Sequence, residues 1–237
     1  MTATTETTGI TVVSGPTSPG TASDWELFFA RRALATLKTR LGRQGLLDLL
    51  QPDLAASAKT LTACAARSGG QWRPALTKLH AEDLSAAEFL SYFHSIFDDS
   101  PKLVAAHPEH FVLAAIDGGH QVVENLGQYI TDFRITYTSE DQAIGELAPD
   151  YPIRLAGTAA LPDGTIIGHA LHQFRETSTG FDALLVIYFP AAAPEALIEG
   201  HRQHLAVEFT NWITAAGISL GRTSHSPEPL VVTRTEH

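Results

Sequence analysis

Apolar residues recur along this chain first at helical and then at strand spacing. Ser23 and Glu26 are spaced as a capping box, and Trp25, Phe28, Phe29, Leu34, Leu37 and Leu41 follow at one-turn intervals, predicting an amphipathic helix. Gly42 and Gly45 loosen the pattern. Leu46 to Leu50 carry it on to Pro52, where a helix is expected to stop. A second helix is predicted from Leu54 to Arg67, before the break at Ser68-Gly69-Gly70. Ser85 and Glu88 form another capping box, ahead of an apolar stripe of Phe89, Leu90, Phe93, Ile96 and Phe97 that ends at Asp98-Asp99-Ser100-Pro101.

From His110 the period drops to two. Six strands are predicted: Phe111 to Ile116, His120 to Leu126, Tyr129 to Thr138, Ile153 to Leu161, Thr165 to Arg175 and Phe181 to Phe189. Asp117-Gly118-Gly119 and Pro162-Asp163-Gly164 read as hairpin turns. A long amphipathic helix then runs from about Pro194 to Ala216, with Leu197, Leu205, Phe209, Trp212 and Ile213 on its apolar side. Strands in a run followed by one helix indicate an α+β protein: a curved antiparallel sheet gripping a long C-terminal helix, with a cavity between them. The expected organisation is a disordered leader over 1–20, a helical N-terminal region over 21–106, a helix-grip domain over 107–220 and a polar tail over 221–237. Leu230, Val231 and Val232 could add a short strand within that tail.

Composition narrows the function classes. The chain has 237 residues, 44% of them hydrophobic, which is enough for a sizeable core. Sixteen basic against 26 acidic residues disfavour nucleic acid and anionic membrane surfaces as partners. No apolar run reaches the roughly 18 residues a spanning helix needs. Lacking a basic N-terminal segment, the protein is expected to be cytoplasmic. A single cysteine, Cys64, excludes a disulfide framework and a multi-thiolate metal knuckle.

Eleven histidines are the feature that calls for chemistry. His204 and Glu208 stand four apart on the last helix, so an imidazole and a carboxylate share one face and can bind one ion. His120, Val122 and Glu124 alternate onto one face of the second predicted strand, where a buried glutamate would need a partner. His107-Pro108-Glu109-His110 sits where helices hand over to strands. Nitrogen and oxygen donors of this kind suit zinc or another divalent ion. Spacing alone leaves His107 as an alternative to His110, and His201 as an alternative to His204. His172 and Tyr188 are further candidates on later strands.

Four stretches, in order, resemble the family of diacetylphloroglucinol hydrolase and phloretin hydrolase. They are Phe89–His94 with His107-Pro108-Glu109-His110-Phe111; Gly119-His120-Gln121-Val122-Val123-Glu124-Asn125-Leu126-Gly127; Leu171-His172-Gln173-Phe174-Arg175 with Gly180 and Tyr188-Phe189; and His204-x-x-x-Glu208-Phe209-x-Asn211. The likeness covers about residues 85–213. It implies a Bet v1-like helix-grip domain holding zinc through His110, Glu124, His204 and Glu208, with His172 and Tyr188 lining the substrate pocket. It also implies retro-Claisen hydrolysis of a carbon–carbon bond between an acyl group and a phenolic or polyketide-like ring. His172 would pass a proton to the departing ring and Tyr188 would hydrogen-bond a phenol or oxyanion. Lys102 stands where the family has a tyrosine. The competing expectations are a cyclase or other small-molecule enzyme on the same scaffold, and a non-enzymatic binding protein. A homodimer is expected from the apolar residues of the first helix.

Overall fold

The computed structural model describes residues 14–15 and 20–222. Most of the expected leader, and the tail with Leu230, Val231 and Val232, lie outside the described residues. The first helix, α1, spans Ala22–Ser68. Its N-cap is Thr21, whose hydroxyl accepts from the Asp24 backbone while the Asp24 carboxylate accepts from the Thr21 N–H. The capping box is thus two residues earlier than Ser23 and Glu26, because the first of two overlapping cap signals adds intrahelical bonds. Gly42 breaks the helix at φ 64° and ψ 177°, a conformation that suits glycine. Pro52 does not stop it. The one N–H bond lost there is outweighed by packing on both sides, since Leu46, Ser57 and Leu61 are all buried.

Seven antiparallel strands form one open, curved sheet: β1 (Trp72–Glu82), β2 (His110–Ile116), β3 (Gly119–Leu126), β4 (Tyr129–Thr138), β5 (Ile153–Ala160), β6 (Ile166–Glu176) and β7 (Gly180–Pro190), in the order β1-β7-β6-β5-β4-β3-β2. The six strands predicted from His110 onward are present within a residue or two of their expected ends. β1 is a correction, for it lies inside the stretch read as wholly helical. Its Pro74 disguised it, and an edge strand tolerates proline because one side of its backbone has no partner to bond. Two short helices follow β1. One is α2 (Ala86–Ser95), capped by Ser85 and Glu88 as predicted; the other is the unpredicted α3 (Ser100–Ala105). A long helix, α4 (Glu195–Ser219), closes the chain, in keeping with a helix-grip arrangement.

α4 lies against the sheet through two apolar clusters. Leu205, Phe209 and Trp212 pack with Phe89, Phe174 and Phe181. Leu197 and Ile198 pack with Val122, Leu126, Phe133 and, from α1, Leu61. A buried Ser57–Thr131 hydroxyl pair, 2.6 Å apart, ties α1 to β4. Leu27, Phe29, Leu37 and Leu49 of α1 are exposed. Among the described residues, no helix is long and apolar enough to cross a membrane.

The β3–β4 turn meets α4 where both backbones are bare. A Cβ on Gly200 would stand 2.8 Å from Gly127 Cα, and one on Gly127 would stand 2.7 Å from Leu197 Cα. Alanine raises helix propensity by about 1 kcal/mol over glycine, but overpacking against backbone costs about 1–3 kcal/mol. Gly200→Ala should therefore lower the thermal midpoint. Gly217→Ala, on the same helix with open space around it, should raise it. Circular-dichroism melts of both variants check this, and a midpoint raised equally by the two would refute the close approach.

Candidate metal centre

Two pairs of side chains face each other between sheet and helix. His110 opens β2 and is the direct cross-strand partner of Glu124 on β3, just before a register shift that bends the strand. His204 and Glu208 stand one turn apart on α4. His110 Nε2 is 3.0 Å from His204 Nε2, 3.4 Å from Glu124 Oε2 and 3.3 Å from Glu208 Oε1, while His204 Nε2 is 3.6 Å from Glu124 Oε2. For metal–ligand bonds of roughly 2.0–2.1 Å, the edge of a tetrahedron is about 3.3–3.4 Å. These four edges bracket that value, and all four potential ligand atoms lie within 4.8 Å of one another.

The surroundings hold this geometry. His110 Nδ1 lies 3.2 Å from the carbonyl of Leu103, to which it donates, leaving Nε2 bare toward the other three ligands. Lys38 of α1 donates to the carbonyls of Pro108 and His110. Asn211 of α4 donates to the carbonyl of Ala106 at 2.7 Å. The corner that delivers His110 is thereby tied to both long helices. No local sequence signal marks Lys38, whose contact spans 72 residues.

Four converging acceptors require positive charge between them, supplied by protons or by a cation. Burial pushes Glu124 up to about 8, with the Glu208 carboxylate adding to the effect and His110 opposing it. Burial disfavours charge on His110, yet the Glu208 hydrogen bond and the two carboxylates outweigh it and raise its pKa. His204 is pushed well down, by burial first and then by His201, His110 and His107. Without metal the cluster therefore stores protons on His110 and Glu124. A divalent ion would displace them and fits the donor set of two imidazoles and two carboxylates.

The structure separates the histidines that spacing left as rivals. The His107 ring lies flat against His204, centroids 3.9 Å apart, and its Nδ1 accepts from the Glu109 N–H. His107, Glu109 and His204 also come within 4.8 Å of one another. Glu109 is exposed, however, and the cations Arg31 and Lys38 bear on His107, which argues against a second ion. His201 points instead into the cavity beside the four ligands.

That cavity has a volume of about 330 Å³ and is walled mainly by apolar side chains, among them Phe97, Phe133, Ile135, Phe209 and Trp212. Glu124 and Glu208 reach its surface, so a molecule inside it meets two of the four clustered side chains. His172 lines the cavity as expected, its ring edge-on to Phe209 at 5.0 Å, and burial lowers its pKa to about 4. Tyr188 is a correction. Its β7 neighbours Ile187 and Phe189 line the cavity, so alternation places Tyr188 on the opposite face. There its hydroxyl accepts from the Glu146 N–H and its ring covers Gly145. His120 is buried but satisfied, by the Phe97 carbonyl and the Tyr137 hydroxyl, each at 2.8 Å. Lys102 pairs with Asp99 near the surface, away from the centre.

No protein-family model matches the chain. No curated protein matches it either. Among solved structures it is similar to an uncharacterised protein from Rhizobium leguminosarum, at 12% identity and a TM-score of 0.35, covering 62% of this chain and 96% of that one. A likeness at that level carries no argument about function.

Proposed function

We propose that the protein is a metal-dependent hydrolase on a Bet v1-like helix-grip scaffold, with zinc the expected ion. Its reaction is cleavage of a carbon–carbon bond between an acyl group and a phenolic or polyketide-like ring. The observation that carries this reading is the convergence of His110, Glu124, His204 and Glu208 on one wall of an apolar cavity. A divalent ion held there supplies Lewis acidity. The cavity lies at the small end of the usual ligand range, and its aromatic walls suit a single substituted ring. His172 is neutral near pH 7, so its Nε2 would take a proton from the water that adds to the acyl carbon and return it from the same nitrogen to the ring carbon as the carbon–carbon bond breaks.

The test is direct. Zinc-loaded protein should release a short-chain acid from an acylphloroglucinol, and His172→Ala should slow that release at least about 100-fold without removing zinc. Stoichiometric zinc with no acid release from such compounds would leave a metal-binding grip protein and overturn the reaction.

A further inference from the structure

Among the described residues, five buried side-chain polar atoms have no protein hydrogen-bond partner. Four of them, Arg154 Nε, His172 Nδ1, His201 Nδ1 and Trp212 Nε1, belong to residues lining the cavity. The fifth is Nδ1 of the metal-centre residue His204. Buried polar atoms are nearly always paired in folded proteins, so orphans on several residues around one cavity mark polar side chains that internal packing does not explain.

His201 is the most constrained of the four. It is 4% exposed, stands edge-on to Phe189 at 5.0 Å and lies parallel to His204 at 5.2 Å. It belongs to neither cluster of potential metal ligands. Leucine or phenylalanine would pack against Phe189 and leave no polar atom unsatisfied, so packing alone does not account for an imidazole there. Its Nδ1 is sealed in the packing, whereas Nε2 is neither sealed nor hydrogen-bonded within the protein. We propose that His201 Nε2 hydrogen-bonds an oxygen substituent of the molecule in the cavity and selects for ring compounds that carry it. The identity of that molecule rests on the proposed function, with its acyl end at the metal centre.

The experiment uses zinc-loaded full-length protein and three probes: 2,4,6-trihydroxyacetophenone and its 2,4- and 2,6-dihydroxy analogues. Tryptophan quenching in a stopped-flow mixer reads their dissociation constants before turnover. Wild-type protein should prefer the trihydroxy compound over at least one dihydroxy analogue by about 10-fold, the worth of one hydrogen bond to a buried group. His201→Phe should abolish that preference by weakening only the trihydroxy compound, with one equivalent of zinc retained. His201→Gln, whose amide can stand near the position of Nε2, should restore part of it. His201→Leu gives the same reading if the phenylalanine variant does not fold. Equal weakening of all three probes, an unchanged preference, or no binding by wild-type protein overturns the role of His201. Absence of acid release with the preference intact would overturn the proposed reaction alone.

Discussion

If the four-residue cluster holds zinc as proposed, alanine in place of His110 or Glu208 should lower zinc affinity by at least about 100-fold, since each removes one of four donors. Equilibrium dialysis with metal analysis checks this. His107→Ala is the control, because His107 stacks on His204 without donating to the centre. Loss of zinc in His107→Ala as complete as in the ligand variants, or retention of a full equivalent in either ligand variant, would refute the assignment. Glu124→Gln adds a test with opposite signs. Its folded pKa of about 8 lies above the unfolded value of 4.5, so the folded metal-free protein holds a proton that the unfolded chain has released. Metal-free stability therefore falls as pH climbs from 4.5 to about 8, and the full penalty stands above that. Glutamine removes the titration, so Glu124→Gln should melt higher than wild type at pH 9 without metal. It should also lose the zinc-dependent rise, which for wild type at 100 times Kd is about 2.7 kcal/mol. A carboxylate with a purely structural role would lower the midpoint in both conditions.

How far the sequence foretold this centre depended on the range of the interactions involved. The strands from β2 to β7 were legible because one face of each is buried and period-two patterning records that. The capping box at Ser85 and Glu88 was legible because it is local. Glu208 followed from its spacing to His204. The choice of His110 over His107 was not legible, because it depends on where β2 begins and on the Leu103 carbonyl that turns the imidazole. His201 was a rival to His204 because 3 and 4 residues both return to one helical face. Their separate roles come from the rise along α4, which carries His201 toward Phe189 and away from the carboxylates. The resemblance places Tyr188 in the pocket, and the nearly continuous apolar run of β7, interrupted only by Asp182, gives little parity to oppose it. Phe181, Ala183, Leu185, Ile187 and Phe189 share one face of β7, and 188 falls on the other with Asp182, Leu184 and Val186. β1 was missed because its burial pattern is broken and Pro74 argues against a strand wherever both edges are paired.

Acid should unfold the metal-free protein by charging its buried histidines, with stability already falling from pH 6.5, above the range in which ordinary carboxylates titrate. His201, with a pKa near 3, and His204, pushed down further, are held neutral by burial, whereas the unfolded chain protonates both near 6.5. The unfolded state thus binds more protons below 6.5. Each such histidine contributes stability that is complete above pH 6.5 and lost at about 1.4 kcal/mol per pH unit as pH falls. His172 and His107, with pKa values of about 4 and 3, add in the same direction. Glu124 opposes them with one proton taken up by the folded state between about 8 and 4.5, and below 4.5 that opposition ends. Two to four histidines against one carboxylate leave a net loss of about 1.4–4 kcal/mol per unit below pH 6.5. Against a typical total of about 5–15 kcal/mol, the folded state should fail near pH 4. Melts in EDTA from pH 8 to pH 4 should therefore show a maximum near 6.5 and a steep acid limb. His201→Leu should make that limb shallower by about one histidine's share. An acid limb as steep in His201→Leu as in wild type, or a midpoint constant from pH 7 to pH 5, would mean that these imidazoles are not held neutral by burial. The aromatic stack of His107, His204 and His201 would then have to be hydrated, and the cavity it borders would be wet rather than apolar.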